Sequence, residues 1–161
     1  MSGFGYACAL LLAGLFVWAG AAKLARPAAT ATSFVALGVP AAGATARAVP
    51  VVELVVAVAL LAAPRAGALG AVAMLVPFTA VLVAAVRAGS ETPCNCFGAV
   101  RTEPVSWADV VRNVMLAGLA VPALTVPLPV APDAGAAALA AALFACGYLA
   151  LRVLRSRPHA A

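Results

Sequence analysis

The chain has 161 residues, of which 66% are hydrophobic and only 9% charged, with a formal net charge of +5. Soluble domains carry about 25% charged residues. A chain this poor in charge has too little polar surface to cover itself in water and belongs in a bilayer, where lipid meets its apolar faces. The length suits one bundle rather than two domains, so residues 1–161 are read as a single transmembrane unit. The basic residues stand singly between apolar runs. That pattern fits membrane topology and argues against a nucleic-acid partner.

In chain order the pattern predicts an all-α integral membrane bundle of five spans. The first runs from about 4 to 24, about 31 Å of helix at ~1.5 Å per residue, enough to cross the hydrocarbon. It lacks a basic region ahead of its apolar run, with Lys23 as the first positive charge, so it reads as a retained span and not a cleaved signal. Pro27 stops it. Residues 30–37 form a short, mildly amphipathic stretch expected at the interface. It ends at Gly38 and Pro40. The second span, about 48–63, is short and contains Glu53; Pro64-Arg65-Ala66-Gly67 turns the chain. The third span, about 68–86, is followed by Arg87 and a polar loop with Glu91, Cys94, Cys96, Arg101 and Glu103. Ser106 with Asp109 reads as a helix cap. It opens a fourth span over about 107–124, which carries Arg112 and Asn113 early. A loop with four prolines lies between 121 and 132, and a fifth span over about 134–154 is closed by Arg152, Arg155 and Arg157.

This alternation of spans puts Lys23, Glu53, the cysteine loop and Arg112 at one membrane face. Cys94 and Cys96 are the centre of the reading. A bridge across one intervening residue closes a small, strained ring, and strained bridges are reducible and reactive. Lys23 or Arg112 nearby would favour a thiolate. The plain alternative is two unrelated loop cysteines. A metal site is not expected: two thiolates leave a tetrahedral ion short of ligands, and the single histidine, His159, is in the tail. A carboxyl group within a span costs about 3 kcal/mol on insertion scales. Glu53 is therefore expected to pair with Lys23, to take protons as thiols are oxidised, or simply to be held neutral inside the bundle. Lys23 and Arg112 have the ordinary alternative of reaching the headgroups. Asn113 suits an interhelical hydrogen bond. Trp18 and Trp107 suit interface or packing positions, and Cys8 and Cys146 read as buried packing thiols.

These residues fall into an ordered set: Gly20-x-x-Lys23-Leu24, Pro50-x-x-Glu53, Cys94-x-Cys96-Phe97-Gly98 and Arg112-Asn113. In order and spacing the set resembles the MauE/DoxX-like family of redox-associated membrane proteins, over the stretch from Gly20 to about Leu116. The resemblance implies a four-helix core, to which the fifth span is an addition. It also implies thiol–disulfide or electron exchange with a thioredoxin-like partner, in maturation of a client protein such as methylamine dehydrogenase. Cys94 and Cys96 would be the redox pair, Lys23 and Arg112 would tune the thiolate, and Glu53 would be the proton or ion-pair partner. A quinone is an admissible electron acceptor, although no single residue argues for it. Two other classes stay open. One is a non-enzymatic assembly factor that holds a partner in the membrane, and the other is a small transporter with Glu53 in its path.

The charges also predict an orientation in the cytoplasmic membrane. One face carries Lys23, Arg26, Arg47, Arg87, Arg101, Arg112, Arg152, Arg155 and Arg157, and the other has Arg65 alone. Basic residues near span ends mark the cytoplasmic side. The N-terminus is then outside, with the C-terminus and the cysteine loop at the cytoplasmic face. The resemblance points the other way, since disulfide formation belongs outside the cytoplasm.

Overall fold

The computed structural model describes residues 2–90 and 104–126. They form five helices: α1 (Ser2–Ala25), α2 (Pro27–Ala36), α3 (Ala42–Ala62), α4 (Pro64–Arg87) and α5 (Trp107–Leu124). All but α2 are long and apolar enough to cross a membrane. The expected fifth span, at about 134–154, lies outside the described residues.

Proline and glycine set the breaks. A residue before proline is pushed out of the helical region. Arg26 (φ −134°, ψ 61°) ends α1 ahead of Pro27, and Ala63 (φ −145°, ψ 76°) ends α3 ahead of Pro64. Each proline then opens the next helix at a position where a missing N–H costs nothing. Helices α2 and α4 end in the same closing motif, with a left-handed glycine, Gly38 (φ 71°) and Gly89 (φ 64°). Val39 N–H donates to Phe34 O at 2.9 Å, and Ser90 N–H to Ala85 O at 3.0 Å. These bonds satisfy carbonyls that the helix ends leave open. At the start of α5, Asp109 Oδ2 accepts from the backbone N–H of Ser106 (3.1 Å) and from its hydroxyl (3.2 Å).

The four long helices form a ring in the order α1, α3, α4, α5, with α5 returning against α1. Its core is built largely of small residues: Ala9, Ala13, Ala57, Ala68, Ala71, Ala120 and Ala123 are fully buried around Leu12 and Leu60. Lipid is as apolar as leucine, so burial does not drive helices together in a bilayer; close van der Waals packing does. Small residues permit it. Gly67 lies so close to α3 that a methyl group there would overlap the backbone of Ala59 and Leu60. The outer faces stay apolar, with Leu11, Val55, Leu69, Val76 and Met115 all exposed, as lipid contact requires.

Contacts at each end fix the topology. At one end Gly5 abuts the Pro122 carbonyl, and Arg65 Nε donates to Leu124 O at 2.9 Å. At the other, Leu82 and Ala85 of α4 pack with Val105 and with Val110 of α5, while Leu37 follows α2 into the same cluster. Phe34 of α2 meets Phe78 edge to face, with ring centroids 6.5 Å apart. The C-terminus of α1, the N-terminus of α3, the C-terminus of α4 and the N-terminus of α5 therefore share one face.

Candidate functional site

Lys23 is in the last turn of α1, where a long cation would ordinarily extend to the headgroups. It turns inward instead. Side chains in a helix lean toward its N-terminus, so Lys23 leans back into the bundle, while Glu53, on the antiparallel α3, leans toward the same level from the opposite direction. They meet at 2.7 Å, Lys23 Nζ donating to Glu53 Oε1, with side chains only 1% and 9% exposed. Gly20 and Pro50 make this approach possible. A Cβ on Gly20 would stand 3.0 Å from Pro50 O and 3.2 Å from Leu54 Cγ. The pieces Gly20-x-x-Lys23 and Pro50-x-x-Glu53 are thus two halves of one helix contact, with the ion pair three residues along from each.

Glu53 is deeper than the sequence suggested. The expected span begins near 48, just after Arg47, but α3 begins at Ala42 and carries Arg47 as well as Pro50 inside it. A proline inside a membrane helix is tolerated where neighbouring groups compensate its missing donor. Glu53 is consequently near mid-helix, about 14 Å along the axis from Ala62 at ~1.5 Å per residue. Its second oxygen, Oε2, is buried and has no hydrogen-bond partner among the described residues.

A cleft opens beside the carboxylate. It has about 440 Å³ of empty volume, counting the open space at its mouth. Helix α1 contributes Leu12 and Phe16, α4 contributes Met74 and Phe78, and α5 contributes Leu116. Glu53 and Asn113 are the polar residues in its lining. Asn113 makes the interhelical bonds expected of it: Nδ2 donates to Leu75 O (3.1 Å) and to Thr79 Oγ1 (2.8 Å), tying α5 to α4. Lining of this kind depends on which apolar faces meet. The sequence signalled only its two polar members.

The other expected site residues divide. Arg112 is in the second turn of α5, its side chain 39% exposed, and its Nη2 meets Asp109 Oδ1 at 3.0 Å. It thus binds the carboxylate that caps its own helix. Cys94 and Cys96 lie outside the described residues. Ser90 and Pro104, which flank that stretch in sequence, follow α4 and precede α5 at the face toward which Lys23 and Arg112 lie. Cys8 is a buried free thiol, as a packing cysteine should be. Among the described residues no cluster of His, Cys, Asp and Glu could hold a metal ion.

No solved structure matches the chain. One curated relative, the methylamine utilization protein MauE of Paracoccus denitrificans, is 36% identical over 135 residues, covering 80% of this chain and 72% of the relative. The family model described as methylamine utilisation protein MauE matches residues 1–126, which take in α1 to α5 and so the ion pair, the cleft and the cysteine pair. The chain is therefore a multi-pass membrane protein of the MauE family.

Proposed function

We propose that the protein exchanges thiols and disulfides at the membrane, with Cys94 and Cys96 as its redox pair. A thioredoxin-like protein is the partner, and the exchange serves maturation of a client used in methylamine utilisation. The observation that best supports this reading is the buried Lys23–Glu53 pair in a bundle whose α4 and α5 bracket the cysteines. Two charges held inside a membrane bundle are costly and mark function by default. The exchange is two displacements. A thiolate attacks the partner's disulfide to form a mixed disulfide. The second thiol, as its thiolate, then closes the Cys94–Cys96 bridge and releases the partner as a dithiol. Two electrons and two protons pass to the partner; the reverse sequence oxidises it. Lys23 and Arg112 supply positive charge that favours the thiolate, and Glu53 is the ion-pair or proton partner. The charge bias supports a cytoplasmic position for this face.

Replacing Cys94 or Cys96 singly with serine tests the exchange, because the remaining thiol cannot resolve a mixed disulfide. A partner should appear covalently attached on a non-reducing gel with at least one of the variants and be released by reductant. No adduct with either, together with intact client maturation in both, would leave a non-enzymatic assembly factor as the better reading.

A further inference from the structure

We propose that α4 is hinged at Pro77 and latched by Asn113, and that an outward swing of its outer half, residues 78–87, opens the cleft beside Glu53. A proline within a helix leaves the carbonyl four residues back without its donor, and its ring presses against that carbonyl. Pro77 and Ala73, the residue four back, are both exposed. The push therefore spreads the lipid side of α4 and tips the outer half over the bundle. Two residues on, Thr79 Oγ1 donates to Leu75 O at 2.6 Å, a bond of the kind that also bends helices. The two halves of α4 are held by different neighbours. Ala68, Ala71 and Leu75, before the proline, belong to the core shared with α1 and α3, whereas Leu82 and Ala85, beyond it, pack with Val105 and Val110. Asn113, buried on α5, grips the break from both sides: Nδ2 donates to Leu75 O at 3.1 Å and to Thr79 Oγ1 at 2.8 Å.

The cleft straddles the same break. Met74 and Leu75 line it from before Pro77 and Phe78 from beyond it, with Phe16 and Ala19 of α1 also in the lining. The angle at Pro77 thus sets the width between Phe78 and α1. The latched state is the closed one, since the Glu53 side chain is only 9% exposed although it borders the cleft. Phe78 rests edge to face on Phe34, so the free direction is outward, into lipid. Parting Leu82 and Ala85 from Val110 costs little there, because lipid replaces apolar contacts in kind. The hydrogen bonds of Asn113 are then the main tie across the hinge.

The hinge belongs to α4 and does not rest on the thiol exchange, so it is tested apart from it. Spin-labelled noncanonical amino acids leave the cysteines in place, and pulsed dipolar spectroscopy on the full chain in nanodiscs reads two distances between α1 and α4. Labels at Trp18 and Ala84 report the outer half of α4, and labels at Leu11 and Leu69 report the inner half; all four positions are exposed. Ala84 is about 10 Å beyond Pro77 along the axis at ~1.5 Å per residue. A swing of about 20°, the size of a proline kink, moves it by about 4 Å. Asn113→Ala should lengthen the outer distance by about that much and leave the inner one unchanged. Pro77→Ala, which restores the missing donor, should abolish the response to Asn113→Ala. No lengthening, equal lengthening of both pairs, or a lengthening that persists with Pro77→Ala would overturn the proposal.

Discussion

Removing one member of the Lys23–Glu53 pair should be far worse than removing both. The two groups are 2.7 Å apart and almost fully buried. Truncating one partner strands the other charge, which costs about 3–5 kcal/mol for buried pairs. At about 1.4 kcal/mol per tenfold change, that lowers the folded population ratio by roughly two to three and a half powers of ten. Lys23→Met and Glu53→Gln should each show this loss. Lys23→Met/Glu53→Leu should return to within about 1 kcal/mol of the wild type, because apolar replacements of a buried pair are commonly neutral or stabilising. The assay is unfolding in mixed detergent micelles, followed by circular dichroism, on all four proteins. A double variant as unstable as the sum of its single variants would refute the reasoning. The pair would then not be coupled, and the inward course of Lys23 would need another cause.

Gly67→Ala should cost about 1–3 kcal/mol, the usual range for overpacking, because the new methyl group meets the backbone of α3. The same assay measures it, and Gly43→Ala, with open space around it, is the control. Asn113→Ala should destabilise by about 0.6 kcal/mol and at most about 1.7 kcal/mol, the average and the maximum measured for interhelical hydrogen bonds in a membrane protein. Thr79→Val removes the same acceptor oxygen and should add little further loss in the Asn113→Ala background. A membrane-impermeant thiol reagent on intact cells should leave reduced Cys94 and Cys96 unlabelled until the membrane is opened; rapid labelling from outside would reverse the proposed orientation.

The membrane fold was legible because most apolar runs are bounded by a signal with a mechanism: proline at 27 and 64, glycine at 38, a serine–aspartate cap at 106 and 109. The start of α3 was not, because Arg47, a charge just ahead of the expected span, sits inside the helix. Lys23 and Glu53 stood out as charges in apolar surroundings, and their pairing was one of three readings that the sequence left open. The cleft was hidden for a different reason. In a bilayer both the lipid-facing and the packed sides of a helix are apolar, so the 3.6-residue contrast that marks a buried face in water disappears. Nothing in the pattern of α1 distinguishes Leu12 and Phe16, which face inward, from Leu11, which faces lipid. Asn113 was readable as a bridging amide, but its partners on α4 depended on the rotation of a helix that sequence periodicity does not fix.

The separation of Lys23 and Glu53 along the chain matters for how the protein is made. They are thirty positions apart, and α1 leaves the ribosome before α3 exists. A lone lysine or carboxylate entering the hydrocarbon costs about 2.5–3.5 kcal/mol on insertion scales. Lys23, near the end of α1, can wait at the headgroups. Glu53, at mid-helix, has no such refuge and enters most readily when α1 is there to receive it. The first three helices are thus expected to leave the insertion machinery together, with α2 lying along the surface while its neighbours find each other. A chain stalled before Glu53 emerges would hold α1 with its lysine still turned to water, and the inward arrangement would be set only when α3 arrives.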